Sequence, residues 1–170
     1  MSFKMNHKAI LSGIAALSVF GALSVQPAIG AQADIAAALA HPDRPSADAE
    51  NDARRQPEQV LSFAGLEAGM KVLELEAGGG YYTEILSRAV GNAGSVVLQH
   101  APGLMSFVGD GIDLRTEGNR LSNVSVSITD FDALEAADNS FDMVTWIQGP
   151  HELGFSPDGN SLGDAEASFA

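Results

Sequence analysis

The chain has 170 residues, 45% of them apolar, which suffices for one domain with a packed core. It has no cysteine, so disulfides and thiolate metal sites are excluded, and its four histidines, at 7, 41, 100 and 151, show no zinc-ligand spacing. Twenty-two acidic against nine basic residues give a net charge of −13, which disfavours nucleic acid and anionic membrane as partners, since both need clustered Lys and Arg.

Residues 1–33 carry a basic start (Lys4, His7, Lys8), an apolar run from Ala9 to Val25, Pro27, and the small-residue stretch Ala31-Gln32-Ala33. That order is the secretory signal pattern, with cleavage after Ala33 and a periplasmic or secreted destination. The competing reading is an uncleaved anchor, against which stand the polar and small residues Ser12, Gly13, Ser18, Gly21 and Ser24 within the run. After cleavage no membrane span is expected.

Residues 34–56 read as a helical lead-in. Asp34 to Ala40 is alanine-rich and ends at His41-Pro42. Ser46 is placed to cap a helix with Asp48 and Glu50 in its first turn and Arg54 and Arg55 near its end. Pro57 opens the next helix as a first-turn proline, and Gly65 ends it.

From residue 71 the pattern alternates. Apolar runs at Val72–Leu75, Val96–Leu98, Val124–Ile128 and Met143–Ile147 read as strands, and Tyr82–Val90 reads as a helix closed by Gly91. Strands alternating with helices predict an α/β fold with a parallel sheet covered by helices, over residues 57–170. The stretch Gly163–Ala170 reads as a last helix, ending before a fifth strand, so the outer edge of strand four is expected to lack a partner.

The most informative stretch is VLELEAGGGYYTEIL, residues 72–86: a strand, three glycines, then a helix. Such a turn lets a ligand lie against main-chain N–H groups at a helix start. The dinucleotide form of this turn needs a third glycine where Thr83 stands, which weakens a nicotinamide or flavin reading. A glycine turn that binds nothing remains the alternative.

Here the chain resembles the class I S-adenosylmethionine-dependent methyltransferases, whose first motif matches Val72-Leu73-Glu74-Leu75 with Gly78, Gly79 and Gly80. It looks most like exported predicted members of that class, through HPDRPSAD (41–48), RRQPEQVLSF (54–63) and AGGGYYTEIL (77–86). The resemblance implies a Rossmann-like fold with its later strands missing, S-adenosylmethionine as cofactor, and a small-molecule or envelope acceptor. It implies cofactor contacts from Glu74, Glu76, the three glycines, Tyr82 and Gln99. In TDFDALEAADNSFDMV (129–144) it puts Asp130 at the adenine amino group, with Phe131 beside it and Leu134 at the adenine face.

Two positions depart from the family pattern. Glu76 stands where the first motif glycine belongs, and Leu98-Gln99-His100 supplies an amide where an acid accepts the ribose hydroxyls. At the end of strand four, His151 is the candidate general base on an acceptor hydroxyl, amine or acid; a loop or capping histidine is the other reading. A binding module without transfer chemistry, or an inactive fragment, are the alternatives to a methyltransferase. No metal and no particular oligomer are implied.

Overall fold

A computed structural model describes residues 30–169. The basic start and apolar run of the leader lie outside the described residues. The chain enters the fold at the small-residue stretch: Gln32 pairs with Glu67, the Ala33 N–H donates to the Leu66 carbonyl at 3.3 Å, and Ala33 is buried.

Four short helices follow. Asp34 caps α1 (Ile35–Leu39) by accepting from the Ala37 N–H at 2.9 Å, and Ile35 and Ala38 face the core. The expected helix from Ser46 is broken into α2 (Ser46–Ala49) and α3 (Asp52–Arg55), with no side-chain cap at either start. Asn51 interrupts them by donating its side-chain amide to the Ala47 carbonyl, a local bond of the kind that competes with helix continuation. Pro57 opens α4 (Pro57–Phe63), preceded by Gln56 in the left-handed region at φ 49°.

The sheet has four parallel strands in the order β3-β2-β1-β4. β1 (Lys71–Glu74) lies at the centre, β2 (Ser95–His100) and β4 (Met143–Thr145) pair to either side of it, and β3 (Val124–Ile128) pairs with β2. The register sets Val72 beside Val96 and Met143. The strand boundaries read from the sequence hold closely, except that β4 stops at Thr145. Among the described residues β4 is an edge strand, and its Val144 is 58% exposed.

The amphipathic helix α5 (Tyr81–Val90) lies against one face of the sheet and fixes the site. Ile85, Leu86 and Val90 are wholly buried against Val72 and Val96, and Ile35, Ala38 and Leu61 close over them from the lead-in. Burial of such side chains is worth about 1.5–3 kcal/mol each, enough to set the height of α5 and of the turn that feeds it. Two further short helices, α6 (Met105–Val108) and α7 (Gly111–Thr116), bridge β2 to β3. The helix expected at Gly163–Ala170 does not form: only a single tight turn at Ala167–Phe169 is present, with Gly163 at φ 124°. The preceding segment instead packs Leu162 against Ala101, Leu104 and Phe131.

Candidate functional site

The turn from β1 into α5 departs from ordinary backbone at three of its six residues: Glu76, Gly78 and Gly80 have φ of 49°, 58° and 78°. Left-handed conformations come at little cost to glycine, whereas Glu76 is strained there and is held by its surroundings. The Glu76 N–H donates to Gln99 Oε1 at 3.0 Å, Ala77 N–H to the Gln99 carbonyl at 3.0 Å, and Gly80 N–H back to the Ala77 carbonyl at 3.0 Å. The N–H groups of Gly78 and Gly79 have no partner among the described residues, at the start of a ten-residue helix. A Cβ placed on either residue would meet nothing within 4 Å, so this side of the turn is open.

Gly80 differs. A Cβ there would fall 2.9 Å from Cγ of Arg115, so this glycine answers to packing beneath the loop and not to open space above it.

Two clefts meet at the turn, of about 380 and 860 Å³, and both are bordered by Glu76, Gly78 and Gly79. The smaller is polar, with Glu74, Tyr82, Asp48, Arg55 and Arg115 on its walls. The larger has an apolar side formed by Leu104, Phe107, Val108 and Phe155, faced by His100, His151 and Glu152.

The carboxylates at this junction are electrostatically distinct. Burial pushes Glu74 from 4.5 to about 8, against the hydrogen bond from Thr83 Oγ1 and the nearby Arg115 charge. Burial also raises Glu76, although the Trp146 indole N–H donates to its Oε2 at 3.2 Å and His151 lies near. Glu76 is only half-buried and reaches both clefts, so a cationic group bound there would meet a carboxylate with part of its hydration already removed.

The lead-in forms one wall of the smaller cleft. Arg44 donates two hydrogen bonds to Asp52, which this pairing holds below the usual carboxylate range. Asp52 accepts in turn from the Tyr81 hydroxyl at 2.6 Å, and burial pushes that phenol up. The Tyr82 hydroxyl donates to the Arg55 carbonyl at 3.1 Å, and the Arg55 guanidinium lies 4.6 Å from the centre of the Tyr81 ring. The two consecutive tyrosines thus tie α3 to the start of α5.

Of the residues expected to bind cofactor, Glu74, Glu76, Gly78, Gly79 and Tyr82 come together at the smaller cleft. His151 borders the larger one, exposed, with Nε2 3.1 Å from Glu152 Oε1. Gly80 supports the turn from below.

The other expected residues are elsewhere. Gln99 is fully buried and spends its amide on the Glu76 N–H and the Thr129 carbonyl, so the residue of β2 that borders the cleft is His100, whose pKa burial pushes down. Asp130 and Phe131 border neither cleft. Phe131 is buried against Trp146 at 4.7 Å between ring centres, and its N–H donates to the Leu162 carbonyl at 3.0 Å. Leu134 lines a separate recess with Leu73, Val97 and Phe141. Asp48, Arg55 and Arg115 on the cleft wall escaped the sequence reading. The HPDRPSAD and RRQP stretches signalled the first two as part of a shared pattern, and nothing local signalled Arg115.

A parallel sheet in this order, with an open glycine turn at the carboxyl end of its central strand, defines the Rossmann-like fold of class I S-adenosylmethionine-dependent methyltransferases. Residues 50–145, over half of the chain, match the model of the protein-L-isoaspartate(D-aspartate) O-methyltransferase family, and the chain belongs to that family. It is 38% identical over 86 residues to the ubiquinone/menaquinone biosynthesis C-methyltransferase of Hydrogenovibrio crunogenus, an alignment covering 51% of this chain and 33% of that protein. With the corresponding protein of Shewanella oneidensis it shares 35% identity over 120 residues, 67% of this chain and 47% of that one. The matched parts span about a third to a half of these curated relatives. A crystal structure of a methyltransferase from Aquifex aeolicus shares the fold, with a TM-score of 0.50 at 23% identity, covering 72% of this chain and 65% of that one.

Proposed function

We propose that the chain binds S-adenosylmethionine across the two joined clefts and transfers its methyl group to a small-molecule or envelope acceptor. The observation that carries this reading is the pair of N–H groups on Gly78 and Gly79, without a partner among the described residues, on a stretch that borders both clefts and leads into α5. Those donors and the positive end of the helix suit the cofactor's carboxylate, while Glu76 suits its ammonium. The larger cleft has the volume and apolar side that a nucleoside needs.

The bound cofactor supplies an electrophilic methyl on a sulfonium, so the protein's task is alignment and proton removal. Alignment carries most of the barrier reduction when the acceptor is a good nucleophile. His151, paired with Glu152 on the rim of the larger cleft, is suited to take a proton from an acceptor hydroxyl, amine or acid. Relatives are named for methylation of isoaspartyl residues and for carbon methylation in quinone biosynthesis, and these two acceptor classes are the first to be offered in an assay.

A second reading, a binding module without transfer chemistry, is favoured by one observation: Gln99, Asp130, Phe131 and Leu134 all lie away from the clefts. Transfer of radiolabelled methyl from S-adenosylmethionine to an isoaspartyl peptide or a quinone precursor supports the enzyme. Tight cofactor binding with no transfer to any acceptor supports the module.

The signal pattern supports export by the general secretory route, with the methyltransferase acting outside the cytoplasm. No helix among the described residues is long and apolar enough to cross a membrane. The acidic charge speaks against a nucleic-acid acceptor.

A further inference from the structure

Arg115 stands in α7, outside every motif discussed above, with its side chain only 9% exposed. A guanidinium is buried without large penalty only when its donors are used, and here they are. Nε donates to the Gly79 carbonyl at 3.0 Å, Nη1 and Nη2 donate to the Asp48 carboxylate at 2.7 and 3.2 Å, and Nη1 also reaches Glu84 at 3.1 Å. One planar fork therefore joins the glycine turn, α2 of the lead-in and α5. The arginine's aliphatic stem lies directly beneath Gly80.

The turn needs such a tie. With three left-handed residues in six, it persists only where its surroundings over-determine it. Gln99 fixes the upper end through Glu76 and Ala77, and the Gly80 N–H is fixed by Ala77. The Gly79 carbonyl is held by Arg115 alone among the described side chains. The Gly79 carbonyl and the Gly80 N–H share one planar peptide, held by Arg115 at one edge and by the Ala77 carbonyl at the other, so losing Arg115 leaves that plane a single anchor and loosens the backbone that orients the N–H groups just upstream.

We infer that Arg115 is the positioning residue of the ligand-binding turn: it aims the Gly78 and Gly79 N–H groups into the clefts and draws α2 over the smaller one. This rests on the cofactor reading above. Lysine keeps the charge but lacks the fork, and it cannot serve a carbonyl and a carboxylate at fixed angles together.

Arg120 supplies the control. It also donates to the buried Glu84, to the Arg115 carbonyl and to the Asp43 carbonyl of the lead-in, but makes no hydrogen bond to the turn. The test is calorimetric titration with S-adenosylhomocysteine at a temperature where circular dichroism shows each variant folded. Arg115→Lys is expected to weaken binding at least about tenfold, the scale of a small misplacement of binding groups. Asp48→Asn, which loosens the fork from α2 with less risk to folding, moves affinity in the same direction. Arg120→Lys lowers the thermal midpoint but changes affinity by less than about twofold, because Arg120 shares Glu84 with Arg115 yet makes no hydrogen bond to the turn and borders neither cleft. Wild-type affinity in Arg115→Lys, or equal weakening in Arg115→Lys and Arg120→Lys, would overturn the assignment. A wild-type protein that binds no S-adenosylhomocysteine overturns the cofactor reading itself, and the role of Arg115 with it.

Discussion

Replacing Glu74 by Gln should change how stability depends on pH, in a direction set by burial. Glu74 lies at the end of β1, 4% exposed, with the Thr83 hydroxyl donating to it, and burial lifts its pKa from 4.5 to about 8. An acid whose pKa is higher folded than unfolded holds its proton more tightly in the fold. Its favourable contribution is therefore complete below about 4.5 and is lost as pH rises towards about 8. At about 1.4 kcal/mol per pH unit the loss accumulates to no more than about 5 kcal/mol across that window, a large part of the roughly 5–15 kcal/mol that stabilises a domain. Glutamine mimics the protonated acid: it keeps an oxygen for Thr83 and carries donors, but never ionises. Urea titrations of both proteins at half-unit steps from pH 4 to 8.5 give the difference curve, in which effects from other titrating groups largely cancel. The two proteins are expected to match near pH 4.5, and Glu74→Gln to be more stable by at least about 2 kcal/mol at pH 8. Parallel curves across the window would refute the argument that burial of Glu74 outweighs the hydrogen bond from Thr83 and the charge of Arg115.

The glycines of the turn should separate by mechanism. Gly78→Val, at φ 58° and facing open cleft, is expected to abolish S-adenosylhomocysteine binding in a calorimetric titration. Gly80→Ala, at φ 78° and 2.9 Å from Arg115 Cγ, is expected to cost about 1–3 kcal/mol of stability in chemical denaturation. If the chain is exported as proposed, the exported form is expected to begin near Asp34, and N-terminal sequencing that finds Met1 on it would contradict this. Cleavage there gives up the Ala33 hydrogen bond to Leu66 and a buried methyl group, so the processed form should melt slightly below a form that retains residues 31–33.

The sheet was legible because each strand is a short apolar run bounded by turn residues. β3 is found at the residues expected, and α5 begins one residue early. The glycine turn was legible for a similar reason, since only a few uses of the backbone demand three consecutive glycines between a strand and a helix. What the sequence hid is pleat and distance. Gln99 and His100 are neighbours, and which of them borders a cleft depends on where β2 ends and on the Glu76 N–H that claims the Gln99 amide. Arg115 acts on Asp48, 67 residues away, and on Gly79, 36 away, and no local pattern encodes either contact. Phe131 was read as a ligand neighbour from a motif, but it is claimed by Trp146 and by the segment carrying Leu162, whose packing follows no periodicity. The last expected helix failed because Gly163 adopts φ 124°, outside helical geometry, and Asp164 caps a turn that stops within three residues.

The central claim is that the open side of the glycine turn holds a nucleoside cofactor through the Gly78 and Gly79 N–H groups. Titration of S-adenosylhomocysteine into the wild-type chain and into Gly78→Val tests it most directly. The account predicts saturable one-to-one binding to the wild type and none to the variant, with both proteins folded by circular dichroism. No binding to the folded wild type, or equal binding to both, would contradict it.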